Sequence, residues 1–244
     1  MIAERIRAEF KRRLNKLDSN HYKDYPIPFI DDLFNLKALE FMDLVIGGKP
    51  TKFYKEAVEE STLSVDILSN FLIKDKKILP YNTDQDSVEF LLPSDYLHYT
   101  RLTVDTDCGL FSDIKYVKQI NLNDNLSAHN FQPSKLWGRT IFNIAATSNK
   151  EGNSIYCYKD GFVIKAINLS YYKKPEKLFS SGYDTLEYLA GDTTANHKDS
   201  PKVNSKFSEK ATNYIIDMMV YEIHQNQSNQ VGYQMSQQKL TINQ

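Results

Sequence analysis

Residues able to do chemistry are few in this chain of 244 residues, and their spacings do not fit the chemistry. Gly47-Gly48-Lys49-Pro50-Thr51 resembles the end of a phosphate-binding loop, whose backbone N–H groups and lysine cradle phosphates. That loop needs a glycine where Asp43 stands, and Pro50 intrudes after the lysine. A helix stop followed by a helix start is the plainer account. Asp105-Thr106-Asp107-Cys108-Gly109 opens like a calcium loop, but Leu110 occupies the obligatory glycine position and Tyr116 the position of the bidentate glutamate. A turn between strands is expected there. His21, His98, His129, His197 and His224 are scattered, with no metal-ligand spacing. Cys108 and Cys157 form no Cys-x-x-Cys pair, and no nucleophile elbow or dinucleotide-binding glycine turn exists. Carboxylate pairs such as Asp84 and Asp86 show no convergence on a cleft. No catalytic, cofactor-binding or metal residue is assigned, and the chain is not expected to be an enzyme.

Composition narrows the class. The chain carries 30 Lys+Arg against 31 Asp+Glu, so its formal net charge is -1. That balance argues against a generic basic nucleic-acid binder, which needs excess cations on its contacting face. Charge is nonetheless uneven: residues 1–20 carry six Lys/Arg against three acids, and residues 81–132 carry three against eight. The acidic stretch would suit a surface repelling DNA beside it, or is an ordinary solvated face. Hydrophobic residues make up 41% and charged residues 25%, as in a folded globular chain. Two cysteines are too few for a disulfide scaffold. No apolar run is long enough to span a bilayer, and the charged start Met1-Ile2-Ala3-Glu4-Arg5 lacks the apolar centre of a signal peptide, so synthesis in a cytoplasm is expected. Aromatic usage stands out, with 16 Tyr and 13 Phe against one Trp. Such Tyr richness suits an interface or an ordinary β-sheet.

These residues need elements to hold them. Ile2, Ile6, Phe10, Leu14 and Leu17 recur at helical spacing over 2–17. Phe29 to Ile46 predicts a second helix, stopped by Gly47-Gly48, and Thr51 is a plausible N-cap for a third running to about Lys74. From Pro80 to about Pro175 the texture becomes strand-like, with candidate strands at Val88–Leu92, Tyr96–Asp105, Ile114–Ile120, Arg139–Ala145, Ser154–Lys159 and Phe162–Tyr172. Asp160-Gly161 between the last two is a hairpin signal. A last helix is expected from Phe207 to His224.

The expected fold is therefore α+β. A helical bundle forms from residues 1–79 and 205–224, with an antiparallel β module inserted at 80–176 and a polar loop at 177–204. Ile215, Met218 and Met219 are expected to pack against Phe10, Leu14, Leu36 and Phe71. Ten of the 20 residues at 225–244 are Gln or Asn, too polar to hold a fold alone. Yet Tyr233, Met235, Leu240 and Ile242 are spaced as anchors along an extended strand, so these four are the candidate assembly-interface residues.

Three signatures in order resemble the head-to-tail adaptor (tail tubular or neck ring) proteins of short-tailed bacteriophages. They are Leu91-Leu92-Pro93-Ser94-Asp95-Tyr96-Leu97-His98-Tyr99, the stretch Phe162 to Pro175 ending Ser170-Tyr171-Tyr172-Lys173-Lys174-Pro175, and the late helix with its polar tail. The Asn/Lys/Tyr-rich style is similar to structural proteins of crAss-like phages. The resemblance implies a structural protein of the virion neck, made in a host bacterial cytoplasm. It would form a homo-oligomeric ring, twelvefold to match the portal, with portal protein and adjacent neck or tail proteins as partners. Double-stranded DNA would pass through the lumen without sequence-specific binding. Catalytic residues, cofactors and a membrane are not implied. The rival expectations are a β-rich carbohydrate- or receptor-binding virion module and a virion-associated hydrolase.

Overall fold

The computed structural model describes residues 2–17, 25–47, 68–128, 130–147, 152–178 and 203–226. The protein is mixed α+β and divides into two compact units, Phe71–Lys174 and a second built from Met1–Asn70 with Pro175–Gln244.

The helical unit joins both ends of the sequence. Helix α1 (Ala3–Leu17) buries Ile6, Phe10 and Leu14 of the expected stripe together with Ala3, whereas Ile2, before its first turn, is exposed. Helix α2 (Ile27–Ile46) starts at Pro26 and Pro28, where a missing N–H costs nothing because the first turn has no acceptor for it. Ser208 caps helix α4 (Glu209–Asn226), its Oγ accepting the Ala211 N–H at 3.2 Å. This helix packs with both α1 and α2. Ile215 and Met219 are fully buried, as are Phe10 and Phe41, whose ring lies 5.6 Å from Tyr214 and 5.9 Å from Phe207. Leu36, expected in this core, is instead 56% exposed. Asn35 and Leu178 exchange two hydrogen bonds, tying α2 to the chain after the β unit.

The third expected helix meets a correction at its end. Residues 51–67 lie outside the described residues, but Ser69–Phe71 is a single 3-10 turn and Leu72–Ile78 is strand β1. The β unit accordingly begins at Phe71, before the expected residue 80.

That unit is a pair of stacked sheets. One has the order β1-β9-β4-β5, with β4 at Tyr96–Thr106, β5 at Gly109–Phe111 and β9 at Ile164–Lys173. The other runs β2-β3-β8-β7-β6, with β2 at Asn82–Thr83, β3 at Ser87–Leu91, β6 at Asp113–Tyr116, β7 at Arg139–Ala146 and β8 at Asn153–Tyr158. Alternate residues from both sheets meet in one core: Val88 and Phe90, Leu102 and Val104, Ile155 and Cys157, Ile167 and Leu169. Burial pushes the Cys157 thiol far above its ordinary value, so it serves as an apolar filler. The outer face of the larger sheet carries a smaller core, where α3 (Leu122–Ser127) lays Leu122 against Val117 and Ile141.

Three expectations about this unit fail. It is not wholly antiparallel, because β6 pairs with β7 in parallel, Asp113 opposite Arg139 and Tyr116 opposite Phe142. Nor does Asp160-Gly161 make a hairpin. Strands β8 and β9 belong to different sheets, and Gly161, at φ 67°, turns the corner between them. The expected strand at 114–120 also stops at Tyr116, passing into a 3-10 turn at Gln119–Asn121.

Candidate interaction surface

Pairing of Leu72 with Tyr172 puts the points where the chain enters and leaves the sandwich side by side at one end. Aromatic packing secures that end, with Tyr96 and Tyr171 ring centroids 5.8 Å apart. The Tyr171 hydroxyl donates to Asp95 Oδ1 at 2.9 Å. Burial first, and then the Asp95 carboxylate, push the Tyr171 phenol up to about 12.

The opposite end gathers three turns. Asp107, in the β4–β5 turn, accepts the Val163 N–H on Oδ1 at 3.0 Å and gives its own N–H to the Val163 carbonyl at 3.0 Å. This is the turn expected in place of a calcium loop. The Val163 N–H and then the Cys108 thiol hold the Asp107 carboxyl below its ordinary range, and Lys135 adds to the effect. Phe162 sets its ring edge-on to Phe111, with centroids 5.0 Å apart. Phe111 in turn lies under Gly138, where an added Cβ would stand 3.6 Å from its Cδ1.

Gly138 closes the third turn. Ser134 and Arg139 exchange backbone hydrogen bonds of 3.0 and 3.1 Å around Lys135–Gly138, and Gly138 supplies φ 58°, a left-handed conformation that favours glycine. The Arg139 guanidinium also donates to the Asn130 carbonyl, fastening the start of the loop to the start of β7.

This end presents apolar side chains to solvent. Leu136 is 85% exposed, Trp137 71%, Leu110 61% and Val163 58%. Single exposed leucines are ordinary, but a Leu-Trp pair at a turn beside two further apolar residues is what interfaces use as anchors. Beside it a cleft of about 330 Å³ is lined by Asn130, Gln132, Ser134, Trp137 and Arg139.

The helical unit has its own exposed stripe. Phe29, Leu36 and Leu39 lie on or near one side of α2, and each is at least 36% exposed. Polar ties join α4 to α1 and α2. Arg13 bonds Asn213 and Asp217 of α4, and Lys37 of α2 reaches Glu222 of α4 at 2.7 Å.

The candidate anchors Tyr233, Met235, Leu240 and Ile242 lie outside the described residues, as does most of the polar loop at 177–204. Among the described residues no group of three His, Cys, Asp or Glu side chains is placed to hold a metal, and no helix is long and apolar enough to cross a membrane. Sequence reasoning passed over Leu136 and Trp137. Their signal was an apolar pair between Pro133-Ser134 and Gly138, a place where a turn should be polar. No protein-family model matches the chain, and no curated protein matches it.

Proposed function

We propose that the chain is a structural virion protein, a ring subunit in the neck of a short-tailed phage that connects portal to tail and continues the DNA channel. The observation that carries this reading is α2. Its sequence Ile-Pro-Phe-Ile-Asp-Asp-Leu-Phe-Asn-Leu-Lys-Ala-Leu-Glu-Phe-Met-Asp-Leu-Val-Ile is apolar nearly all round. A helix of that kind needs cover on more than one side. Ile30, Phe34, Phe41 and Met42 are buried in the helical unit, while Phe29, Leu36 and Leu39 are left exposed among the described residues. Neighbouring copies in a ring would supply the missing cover, bundle against bundle, with the β units as a second tier. The acidic 81–132 stretch and the near-neutral net charge suit a conduit that lets DNA slide without gripping it. Twelve copies and the portal, neck and tail partners follow from the family resemblance.

Native mass spectrometry of the chain with and without portal rings tests the reading. Stable multimers or a portal-bound ring are expected. Leu36→Asp with Leu39→Asp should leave the monomer folded, because both side chains are exposed, and abolish assembly. Truncation after Gln225 should do the same through loss of the Tyr233, Met235, Leu240 and Ile242 anchors. A small oligomer indifferent to portal that is retained on immobilised glycans would favour the carbohydrate- or receptor-binding module instead.

A further inference from the structure

We infer that the cleft beside Trp137 is a saccharide-binding site, sized for one sugar ring. Its volume of about 330 Å³ lies at the small end of the roughly 300–1,000 Å³ range of ligand sites. The lining residues select among ligand classes. A divalent cation would need carboxylates, and none is among the described residues that line the cleft. A lipid chain would need aliphatic walls, and no aliphatic side chain is among the described lining residues. A nucleotide would bring phosphates, for which the described lining residues offer one cation, Arg139.

What remains suits a sugar. Each hydroxyl of a pyranose donates and accepts at once, so its partners must offer both functions. The carboxamides of Asn130 and Gln132 do so, as does the Ser134 hydroxyl, and the Arg139 guanidinium adds planar donors. Trp137 supplies an aromatic ring, on which the C–H face of a sugar packs. The frame is set in advance. The Ser134–Arg139 backbone pair, the glycine conformation at Gly138 and the Arg139 bond to Asn130 fix the loop, so little order remains to be imposed on binding. This inference stands whether or not the chain forms a ring.

Trp137 is the chain's one tryptophan, so intrinsic fluorescence reads the site directly. The full chain is titrated with the methyl glycosides of glucose, galactose, mannose, N-acetylglucosamine and glucuronic acid, following emission and quenching by acrylamide. A saturable blue shift with reduced quenching is expected for at least one glycoside, because a seated sugar displaces water from the indole. Saturation-transfer NMR, which needs no tryptophan, then reads the variants. Trp137→Leu should weaken that glycoside about tenfold, because it keeps apolar bulk and loses the flat face. Gln132→Ala, which leaves the indole in place, should weaken it as well. If none of the five glycosides changes emission, or if Trp137→Leu binds as the wild type does, the assignment is wrong. An emission change produced by portal protein and by no glycoside would also overturn it, identifying the surface as a protein contact.

Discussion

Replacing Arg13 with methionine tests the union of the two ends of the chain. Arg13 reaches from α1 to α4, where Nη1 donates to the Asn213 carbonyl at 2.8 Å and to Asp217 Oδ1 at 2.7 Å, and Nη2 donates to Asn213 Oδ1 at 2.6 Å. The Arg13 and Asp217 side chains are 17% and 18% exposed. Exposed ion pairs contribute about 0–1 kcal/mol, whereas breaking a buried one costs about 3–5 kcal/mol. A pair mostly removed from water falls between, and the expected cost is about 2 kcal/mol. Methionine keeps the aliphatic packing, so the loss is the polar network and the stranded Asp217 carboxylate. In local opening, about 2 kcal/mol is a factor of roughly 30. Hydrogen exchange with mass spectrometry should therefore show α1 and α4 exchanging about 30-fold faster in Arg13→Met. Adding Asp217→Leu should recover part of the loss, because no carboxylate is then left unpaired. Arg5→Met is the control: its bond to Glu209 joins side chains 61% and 60% exposed, and the change should stay within about 0.5 kcal/mol. Unchanged exchange in a folded Arg13→Met protein would refute the reasoning.

Met219 is fully buried, so Met219→Asp should cost about 3–5 kcal/mol and lower the thermal midpoint of the helical unit, and deletion of 207–224 should cause aggregation. A fragment of residues 71–174 should fold with β-type circular dichroism, while one starting at residue 80 should be less stable, because β9 loses its partner β1. In the fold the Tyr171 phenol keeps its proton until about pH 12, whereas an unfolded tyrosine ionises near about pH 10. The folded state holds the extra proton between those values, so stability should fall as pH rises through that window. Tyr171→Phe should flatten this fall, read by chemical denaturation at stepped alkaline pH.

Periodicity and composition found α1, α2, α4 and most of the core strands. Strands β3, β4, β7 and β8 fall within a residue or so of their expected limits because each is a short run rich in Val, Ile, Thr, Phe or Tyr. Strand β1 was hidden by its composition. Leu-Ile-Lys-Asp-Lys-Lys-Ile is an edge strand with four exposed residues at its centre, and Asp75 takes φ 47° at a bulge where its N–H bonds Ser170 Oγ. Charge that protects a sheet edge reads as the end of a helix. The Asp160-Gly161 corner misled for another reason: a left-handed glycine serves any sharp reversal, and short-range sequence does not say which sheet receives the next strand. Parallel pairing of β6 with β7 depends on a crossover through α3 and is equally invisible locally. Of the surface, the Gly138 turn was legible in principle, while its closeness to Phe111, and through that ring to Phe162, arises only from the stacking of two sheets.

The side-by-side entrance and exit of the sandwich carry a mechanical consequence. Tension applied through Phe71 and Lys174 would load the β1–β9 ladder at one end, beginning with the Leu72–Tyr172 pair. Its hydrogen bonds would then part in succession, like a zipper, and none would share the load with the others. The same sheet pulled along its strands, from the Trp137 end to the linkers, would resist in shear, with the bonds of β4 and β9 strained together. The sandwich is thus soft to a pull through its own linkers and stiff to a push or pull along its length.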